Sequence, residues 1–372
     1  MNYRDNLLQL LAARTASSTV WTADLEYWIS GMEQDGTADP AWRTEEGFLQ
    51  LCTELQVMPY YFYGKDFTSF WAAFPEYETT VDLETSVSGH AATTVWKTPV
   101  GEITQTAEFL PSSCSTALRK HAVKTKQDLE VLLYLMENRN LVHADMEAYR
   151  QSLDLWAQYG GIPAIAMPRS PLAALFYEWA GIENGVYLML DNLQTVERIF
   201  DVMNEQEGPV IDALCGAEVP LVHFADNLSS DNFTGYYDAY MGPGHRRRIE
   251  RFHSSGVYCA VHLDGWVEGL LPKVAAAGFD AVEALTPQPG GDLPVERMRE
   301  VAGSDNVILW GGLPGVLFAP PYTWEDVETH LEKIRQAWEG TPFVLGVADQ
   351  IPPDGDVTYC PRIAEIVKDW NR

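Results

Sequence analysis

The chain has 372 residues, 46% of them hydrophobic and 21% charged, which is the balance of a globular protein with a large buried core. Its 53 acidic residues outnumber 25 lysines and arginines and give a formal charge of −28, a field that repels nucleic acid and anionic membrane surfaces. The 5 cysteines lack CxxC spacing, no run reaches the ~18 apolar residues of a membrane span, and the N-terminus lacks a signal-like apolar core, so we expect a reduced, cytoplasmic protein.

Eight short apolar runs predict buried strands, and amphipathic helical stretches separate the later ones. The runs cover residues 19–23, 55–60, 163–167, 219–224, 257–261, 281–284, 307–310 and 343–346. The clearest helices cover residues 236–254, 267–277, 295–301 and 324–339. Each predicted pair of strand and helix takes about 25 to 40 residues, a length typical of βα units. The predicted fold class is therefore α/β, a (β/α)8 TIM barrel that forms a single domain over residues 1–372.

The segment at about 76–112 breaks this rhythm. β-Branched residues occupy alternate positions on both sides of Gly89, and an alternation of this kind across a glycine is typical of an antiparallel β-hairpin. We therefore predict a hairpin inserted into the N-terminal part of the barrel.

Ionisable side chains recur where the predicted strands end, which is where TIM barrels carry their active sites. They are Asp24, Arg169, His223, Asp226, His262, Asp264, Glu283 and Asp349. A buried carboxylate without a partner is costly, so Glu283 within a short apolar run favours a functional role. For His223 the alternative is a hydrogen-bonded core residue; for Asp226 and Asp349 it is a helix cap and a turn cap.

His262 and Asp264 are separated by one residue at the end of a predicted strand, so both side chains face the same side of the sheet. Together with Glu283 and Asp349 they offer one nitrogen and several oxygen donors, which suits Zn²⁺ or another divalent ion. A catalytic zinc needs three protein ligands and one open position. We predict His262 and two of the three carboxylates, and the choice among the carboxylates stays open.

Several short motifs, in this order and spacing, resemble the uroporphyrinogen decarboxylase superfamily over most of the chain, and in character they are closest to its corrinoid-dependent methyltransferase branch. They are Thr98-Pro-Val-Gly-Glu, Val123-Lys124, Phe224-Ala-Asp226-Asn-Leu-Ser, His262-Leu-Asp264-Gly265 and Gly278-Phe-Asp280-Ala-Val-Glu283. The resemblance implies a (β/α)8 barrel, in agreement with the eight runs.

The methyltransferase branch carries His-x-Cys-Gly where this chain has His262-Leu-Asp264-Gly265, and it supplies a second zinc-binding cysteine near the last strand. Here Asp264 stands in the first cysteine's place, and Asp349 lies near the second. The resemblance thus implies a zinc site with oxygen donors instead of thiolates. Such a harder site is a better Lewis acid for an oxygen substrate than for a thiol.

The decarboxylases of the superfamily use an arginine-rich N-terminal segment to hold a tetrapyrrole with many carboxylates. The corresponding stretch here, Ser17 through Ser30, has no arginine and contains Trp21, Tyr27 and Trp28. Because a polyanionic substrate requires cations, tetrapyrrole decarboxylation is the second hypothesis. A non-catalytic binding barrel is the third.

The leading hypothesis is a metal-assisted methyltransferase that moves a methyl group between a small methylated substrate, with an aryl methyl ether as one candidate, and a corrinoid. The predicted catalytic residues are Asp226, His223 and Asp24, and the predicted substrate-binding residues are Trp21, Tyr27, Arg169 and Trp310. No Asp-x-His-x-x-Gly corrinoid-binding sequence is present, so the corrinoid is expected on a partner protein or bound transiently. A homodimer is an open alternative for the assembly.

Overall fold

The computed structural model describes residues 2–15, 18–63 and 70–372. Within the stretch Ser17 through Ser30, the structure describes Trp21, Tyr27 and Trp28, whereas Ser17 lies outside the described residues. The chain forms two compact units. The first contains Met1–Trp71, Asp145–Met167 and Leu214–Arg372, and the second contains Ala72–Ala144 and Pro168–Ala213. The prediction of a single domain over the whole chain stays a prediction.

Thirteen strands occur in the described residues. In chain order they are β1 (Val20–Thr22), β2 (Ala73–Tyr77), β3 (Asp82–Ser88), β4 (Ala91–Thr98), β5 (Gly101–Leu110), β6 (Ser115–Lys120), β7 (Arg139–His143), β8 (Ile165–Met167), β9 (Leu221–Leu228), β10 (Tyr258–Leu263), β11 (Ala281–Leu285), β12 (Ile308–Pro314) and β13 (Phe343–Ala348).

Seven parallel strands form the sheet of the first unit, in the order β1-β13-β12-β11-β10-β9-β8. Each coincides with one of the predicted apolar runs to within a few residues. Most of their residues are buried, as expected for parallel strands that are covered on both faces. The α/β class and the large parallel sheet are confirmed.

The run at residues 55–60 is the exception, because the structure has no strand over that length. Leu55 caps the helix Glu45–Glu54, and Gln56 has a left-handed φ of 55°, so the extended backbone starts only afterwards. Met58 makes a single parallel bridge to Thr22 and donates its N–H to Trp21 O at 2.9 Å. The prediction of a strand here was therefore wrong in its extent. The assigned strands form a seven-membered series that is not a closed ring.

Helices follow most strands of the first unit, and the predicted helices are present with adjusted bounds. The predicted 236–254 helix divides into a π-helical turn, Tyr237–Met241, and the α-helix Gly242–Ser254. The predicted 267–277 helix starts only at Leu271. The α-helices are Tyr3–Ala13, Glu26–Gln34, Glu45–Glu54, Lys126–Glu137, Met146–Gln158, Pro171–Ala174, Ile182–Asp191, Leu193–Gln206, Gly208–Gly216, Ser230–Phe233, Gly242–Ser254, Leu271–Ala277, Val295–Ala302, Trp324–Trp338 and Tyr359–Trp370. Short 3-10 turns cover Pro40–Arg43 and Gly315–Phe318, and a further π-helical turn covers Leu175–Trp179.

In the second unit, β3, β4, β5 and β6 form an antiparallel sheet in chain order. The first turn, between Ser88 and Ala91, contains Gly89 with a φ of 60°. This sheet is larger than the hairpin expected at about 76–112, since β6 extends it to Lys120. A separate antiparallel pair joins β2 to β7. Among the described residues, no helix is both long and apolar enough to cross a membrane.

Candidate functional site

His262 and Glu283 are the centre of the candidate site, and the sheet brings them together directly. They are register partners on the neighbouring parallel strands β10 and β11. Their side chains therefore leave the sheet at the same level and on the same face. His262 Nδ1 is hydrogen-bonded to Glu283 Oε2 at 2.8 Å. The Glu283 side chain is only 4% exposed and that of His262 13%.

His223 extends this pair on the next strand, β9. Its neighbour Phe224 packs against Phe252 of the helix layer, with ring centroids 6.1 Å apart, so strand alternation turns His223 to the opposite face. His223 Nε2 lies 3.8 Å from Glu283 Oε2 and 3.2 Å from the Tyr61 hydroxyl. Two histidines and one glutamate thus meet on the face of the sheet away from the helices.

Asp264 and Asp349 approach His262 from beyond the strand ends. One ligand atom from each of the three residues lies within 4.8 Å of the others, and all three residues are partly exposed. His223, His262 and Glu283 form a second group at the same separation, but its His223 and Glu283 are buried. The four residues predicted to bind metal therefore fall into two groups that share His262.

Burial and charge act in opposite directions on this central pair. Burial by itself lowers the pKa of His262, but the charge and hydrogen bond of Glu283, helped by Asp264 and Asp349, outweigh it and raise that pKa to about 10. Burial alone raises the pKa of Glu283, and the positive charge of His262 reverses this and lowers it. Both shifts favour the charged forms of the pair, an imidazolium and a carboxylate.

The remaining ionisable groups are shifted mainly by burial. Burial raises the pKa of Asp349 to about 6, and it raises the pKa of Asp264 against the opposing charge of His262. Burial raises the pKa of Asp24 well above its usual value, partly offset by the hydrogen bond from Glu26 N. Burial lowers the pKa of His223 to about 4 in spite of the nearby Glu283. Such shifts are typical of functional sites.

Asp24 and Tyr27, which follow the first strand, interact with this cluster through its charges, and their roles stay predictions. Asp24 Oδ1 accepts the Glu26 N–H at 2.9 Å, and the Tyr63 hydroxyl lies 3.4 Å from Asp24 Oδ2. The charges of Asp349, Asp24 and Asp264 all raise the pKa of Tyr27, after burial as the largest cause. Tyr27 N donates to Gln350 Oε1 at 3.0 Å, which links the loops after β1 and β13.

Asp226 takes a different environment from the one expected of a catalytic residue. Its carboxylate is hydrogen-bonded to His245 Nε2 at 2.8 Å, and His245 Nδ1 is hydrogen-bonded to the Tyr237 hydroxyl at 3.1 Å. All three side chains are buried. The helix that carries His245 thus engages Asp226, whose catalytic role stays a prediction.

The predicted substrate-binding residues are similarly divided. Trp310 donates its Nε1–H to Thr22 Oγ1 at 2.9 Å, so it packs on the face of the sheet where Thr22 lies. Trp21, adjacent to Thr22 on β1, alternates to the other face and is fully buried. Arg169 belongs to the second unit, where it forms an ion pair with Glu178 at 3.2 Å.

Three tyrosines that were not predicted as site residues lie against this cluster. The Tyr61 ring centroid is 5.5 Å from that of His223 and 6.2 Å from that of Tyr63. The Tyr60 ring centroid is 4.6 Å from that of Trp310 and 6.2 Å from that of His223. The sequence signal was the aromatic run Tyr60-Tyr61-Phe62-Tyr63, which begins at the last residue of the apolar run 55–60, at the same strand-end position as the other candidates.

The donor set of His262, Asp264 and Asp349 fits a divalent ion. Glu283 accepts a hydrogen bond from Nδ1 of His262, so Nε2 is the ring nitrogen left to bind a metal, and a carboxylate behind a metal-binding histidine is a common arrangement. Neither group that contains His262 includes a cysteine among the described residues. The set therefore suits a borderline or hard ion rather than a thiolate-bound one.

The first unit is thus a TIM-barrel-like α/β protein with a buried ionisable cluster at the carboxyl ends of its strands. Among solved structures the whole chain is similar to a methyltransferase from Methanosarcina mazei, with a TM-score of 0.64, 12% sequence identity and 100% of both chains covered. This likeness confirms, at the level of the fold, the resemblance seen in the sequence.

A B12-independent methionine synthase from Shewanella sp. W3-18-1 aligns over 72% of this chain and 75% of its own, at 14% identity. Its TM-score of 0.47 is too low to support an inference. No protein-family model matches the chain, and no curated protein sequence matches it.

Proposed function

We propose that this protein is a methyltransferase that moves a methyl group between a small methylated oxygen compound and a corrinoid. The observation that carries the proposal is the accessible group of His262, Asp264 and Asp349, backed by Glu283. The fold it shares with a methyltransferase is consistent with this activity. An aryl methyl ether is the proposed donor, since Tyr61, Tyr63 and Trp310 supply aromatic surface near the cluster.

In this proposal His262, Asp264 and Asp349 hold a divalent ion, with zinc as the first candidate. Such an ion, when bound, supplies Lewis-acid polarisation of a substrate oxygen. Glu283 keeps the His262 ring in place through the 2.8 Å hydrogen bond to Nδ1. Asp24, whose Oδ2 lies 3.4 Å from the Tyr63 hydroxyl, and Tyr27 are proposed to orient the substrate.

The corrinoid is proposed to arrive on a partner protein or to bind transiently, because the sequence lacks the motif that would hold it. The fold that we propose for this function is the complete eight-stranded barrel. Residues 57–60 would take the eighth strand position, since Met58 N bonds Trp21 O and Ala164 N bonds Tyr60 O, both at 2.9 Å.

Tetrapyrrole decarboxylation ranks second because of charge. Glu283, Asp264 and Asp349 act on His262 and raise its pKa, and the partly buried Arg43 already pairs with Glu26 and Glu33. A substrate with many carboxylates would be repelled by this cluster.

The activity test uses the metal-loaded protein, cob(I)alamin and a panel of methoxylated aromatic compounds, with methylcobalamin formation followed by absorbance. We expect turnover with at least one donor and loss of turnover in His262→Ala. The control is His90→Ala, which replaces an exposed histidine distant in sequence from the site and should leave turnover unchanged. Absence of methyl transfer together with decarboxylation of uroporphyrinogen would reverse the ranking. Tight binding of ligands without any turnover would support the non-catalytic barrel.

The metal is tested separately by elemental analysis of wild type, His262→Ala and His90→Ala. We expect stoichiometric divalent metal in wild type and His90→Ala and a large loss in His262→Ala. Equal metal content in all three proteins would show that His262 has no part in metal binding.

A further inference from the structure

Two polar atoms in the buried part of the site have no hydrogen-bond partner among the described residues. They are His223 Nδ1 and the Tyr60 hydroxyl. Their side chains are almost completely buried, with 1% of His223 and 3% of Tyr60 exposed. The two rings are neighbours, with centroids 6.2 Å apart. Buried polar groups in proteins are nearly always paired, so this pair calls for a bound group that is absent from the chain itself.

The atoms that face His223 Nε2 determine which ring nitrogen carries the proton. His223 Nε2 faces two oxygen atoms, the Tyr61 hydroxyl at 3.2 Å and Glu283 Oε2 at 3.8 Å. A carboxylate can only accept a hydrogen bond, and the charge of Glu283 favours a proton on the ring nitrogen that faces it. His223 consequently carries its proton on Nε2, and Nδ1 has a free lone pair.

The unpartnered atoms are thus one acceptor, His223 Nδ1, and one group that can donate, the Tyr60 hydroxyl. Aromatic rings flank them: the ring centroids of Trp310 and Tyr60 are 4.6 Å apart, and those of Phe70 and His223 are 5.9 Å apart. A carboxylate cannot donate to Nδ1, and an ammonium cannot accept from Tyr60. A hydroxyl can do both.

We infer that His223 and Tyr60 form a hydroxyl-binding subsite, and that the preferred ligand is a neutral aromatic compound that carries a hydroxyl group. The inference rests on the proposed function for its link to a methyl donor. The subsite adjoins the proposed metal group, because His262 lies beside His223, with ring centroids 5.9 Å apart. His223 and Tyr60 then select among methylated donors, favouring those with a free hydroxyl.

The binding test compares methoxybenzene with its three hydroxylated derivatives, 2-, 3- and 4-methoxyphenol, by calorimetry on the metal-loaded protein. The variants are Tyr60→Phe, which removes one oxygen atom, and Tyr187→Phe, an exposed tyrosine that serves as control. We expect Tyr60→Phe to weaken at least one methoxyphenol about 3- to 10-fold and to leave methoxybenzene unchanged. Equal affinity of wild type for methoxybenzene and all three phenols, as when water alone fills the subsite, would overturn the inference.

The tautomer is tested independently of any methyl transfer, by 15N NMR of histidine-labelled protein with His223→Gln for assignment. We expect a protonated Nε2 and an unprotonated Nδ1 for His223, with the Nδ1 resonance moving upfield when the preferred methoxyphenol is added. A proton on Nδ1 of the free protein would overturn the inference. Binding with the expected Nδ1 shift but without methyl transfer would support the subsite and remove the proposed function.

Discussion

At the scale of single residues, the ion pair between His262 and Glu283 governs the candidate site. Two buried groups of opposite charge stabilise each other's charged forms, whereas burial alone would neutralise both. The hydrogen bond to Nδ1 also fixes the orientation of the His262 ring, because a histidine with one nitrogen engaged presents only the other. In the proposed metal site, Glu283 would support the His262 ring rather than bind the ion.

Glu283→Gln tests this role. The substitution keeps the size of the side chain but removes the charge that supports His262, so we expect affinity for Zn²⁺ or Co²⁺ to fall about tenfold or more, measured by calorimetry. Glu268→Gln, in an exposed pair with Arg297, is the matched control and should bind metal as wild type does. Unchanged affinity in Glu283→Gln would mean that the ring needs no support from this carboxylate.

At the scale of elements, an irregularity in β9 lies beside the site. Register pairs Val261 with Phe224 and then Leu263 with Leu228, so three residues of β9 lie opposite His262 alone. Bulges of this kind redirect side chains next to active sites. Asn227 in the bulge has a left-handed φ of 53°, and Leu228 O accepts the Asp264 N–H at 3.1 Å. The bulge is therefore next to a residue that is hydrogen-bonded to Asp264, a proposed metal ligand.

The buried pair of Asp226 and His245 fastens this bulge to the helix Gly242–Ser254. We expect His245→Phe to lower the free energy of unfolding by about 3–5 kcal/mol, since it leaves a buried carboxylate without this partner. We also expect weaker Co²⁺ binding and an altered Co²⁺ absorption spectrum, because Asp264 is displaced. His245→Gln, which retains a donor, should recover part of both properties. A destabilised His245→Phe protein with a wild-type Co²⁺ spectrum would limit the pair to a structural role.

At the scale of the whole molecule, an ion pair joins distant parts of the first unit. Arg14, after the first helix, bonds Asp280 at the start of β11, 266 residues away. The fully buried Asp280 also accepts from Cys259 N at 2.7 Å and is hydrogen-bonded to His253 Nε2 at 2.8 Å. This cluster ties the N-terminal segment to the central strands at the end opposite to the candidate site.

Asp280→Asn should therefore destabilise the protein without affecting metal binding. We expect a loss of about 2–4 kcal/mol in urea unfolding, below the largest values for buried pairs because the Arg14 side chain is 36% exposed. Asp369→Asn, in an exposed pair with Arg372, is the control and should lose less than about 1 kcal/mol. A loss as small as that of the control would mean that the remaining hydrogen bonds hold the cluster without its charge.

The sequence by itself determined the parallel strands and the position of the central histidine. Apolar runs of four to six residues must be buried, and in a parallel sheet their ends lie at one edge, so His262, Asp264, Glu283 and Asp349 could be expected to meet. The aromatic run that contains Tyr60 and Tyr61 also lies at the end of an apolar run, but this position alone did not mark the two tyrosines as site residues.

Only the tertiary structure decided which partner each of these side chains takes. Register matched Glu283 to His262, the helix Gly242–Ser254 supplied His245 as the partner of Asp226, and strand alternation placed Trp21 on the face opposite Thr22 and Trp310. A left-handed residue, Gln56, shortened the second predicted strand. These outcomes depend on one-residue shifts of register and on neighbours hundreds of residues away, and a local pattern of apolar and polar residues carries no information on either.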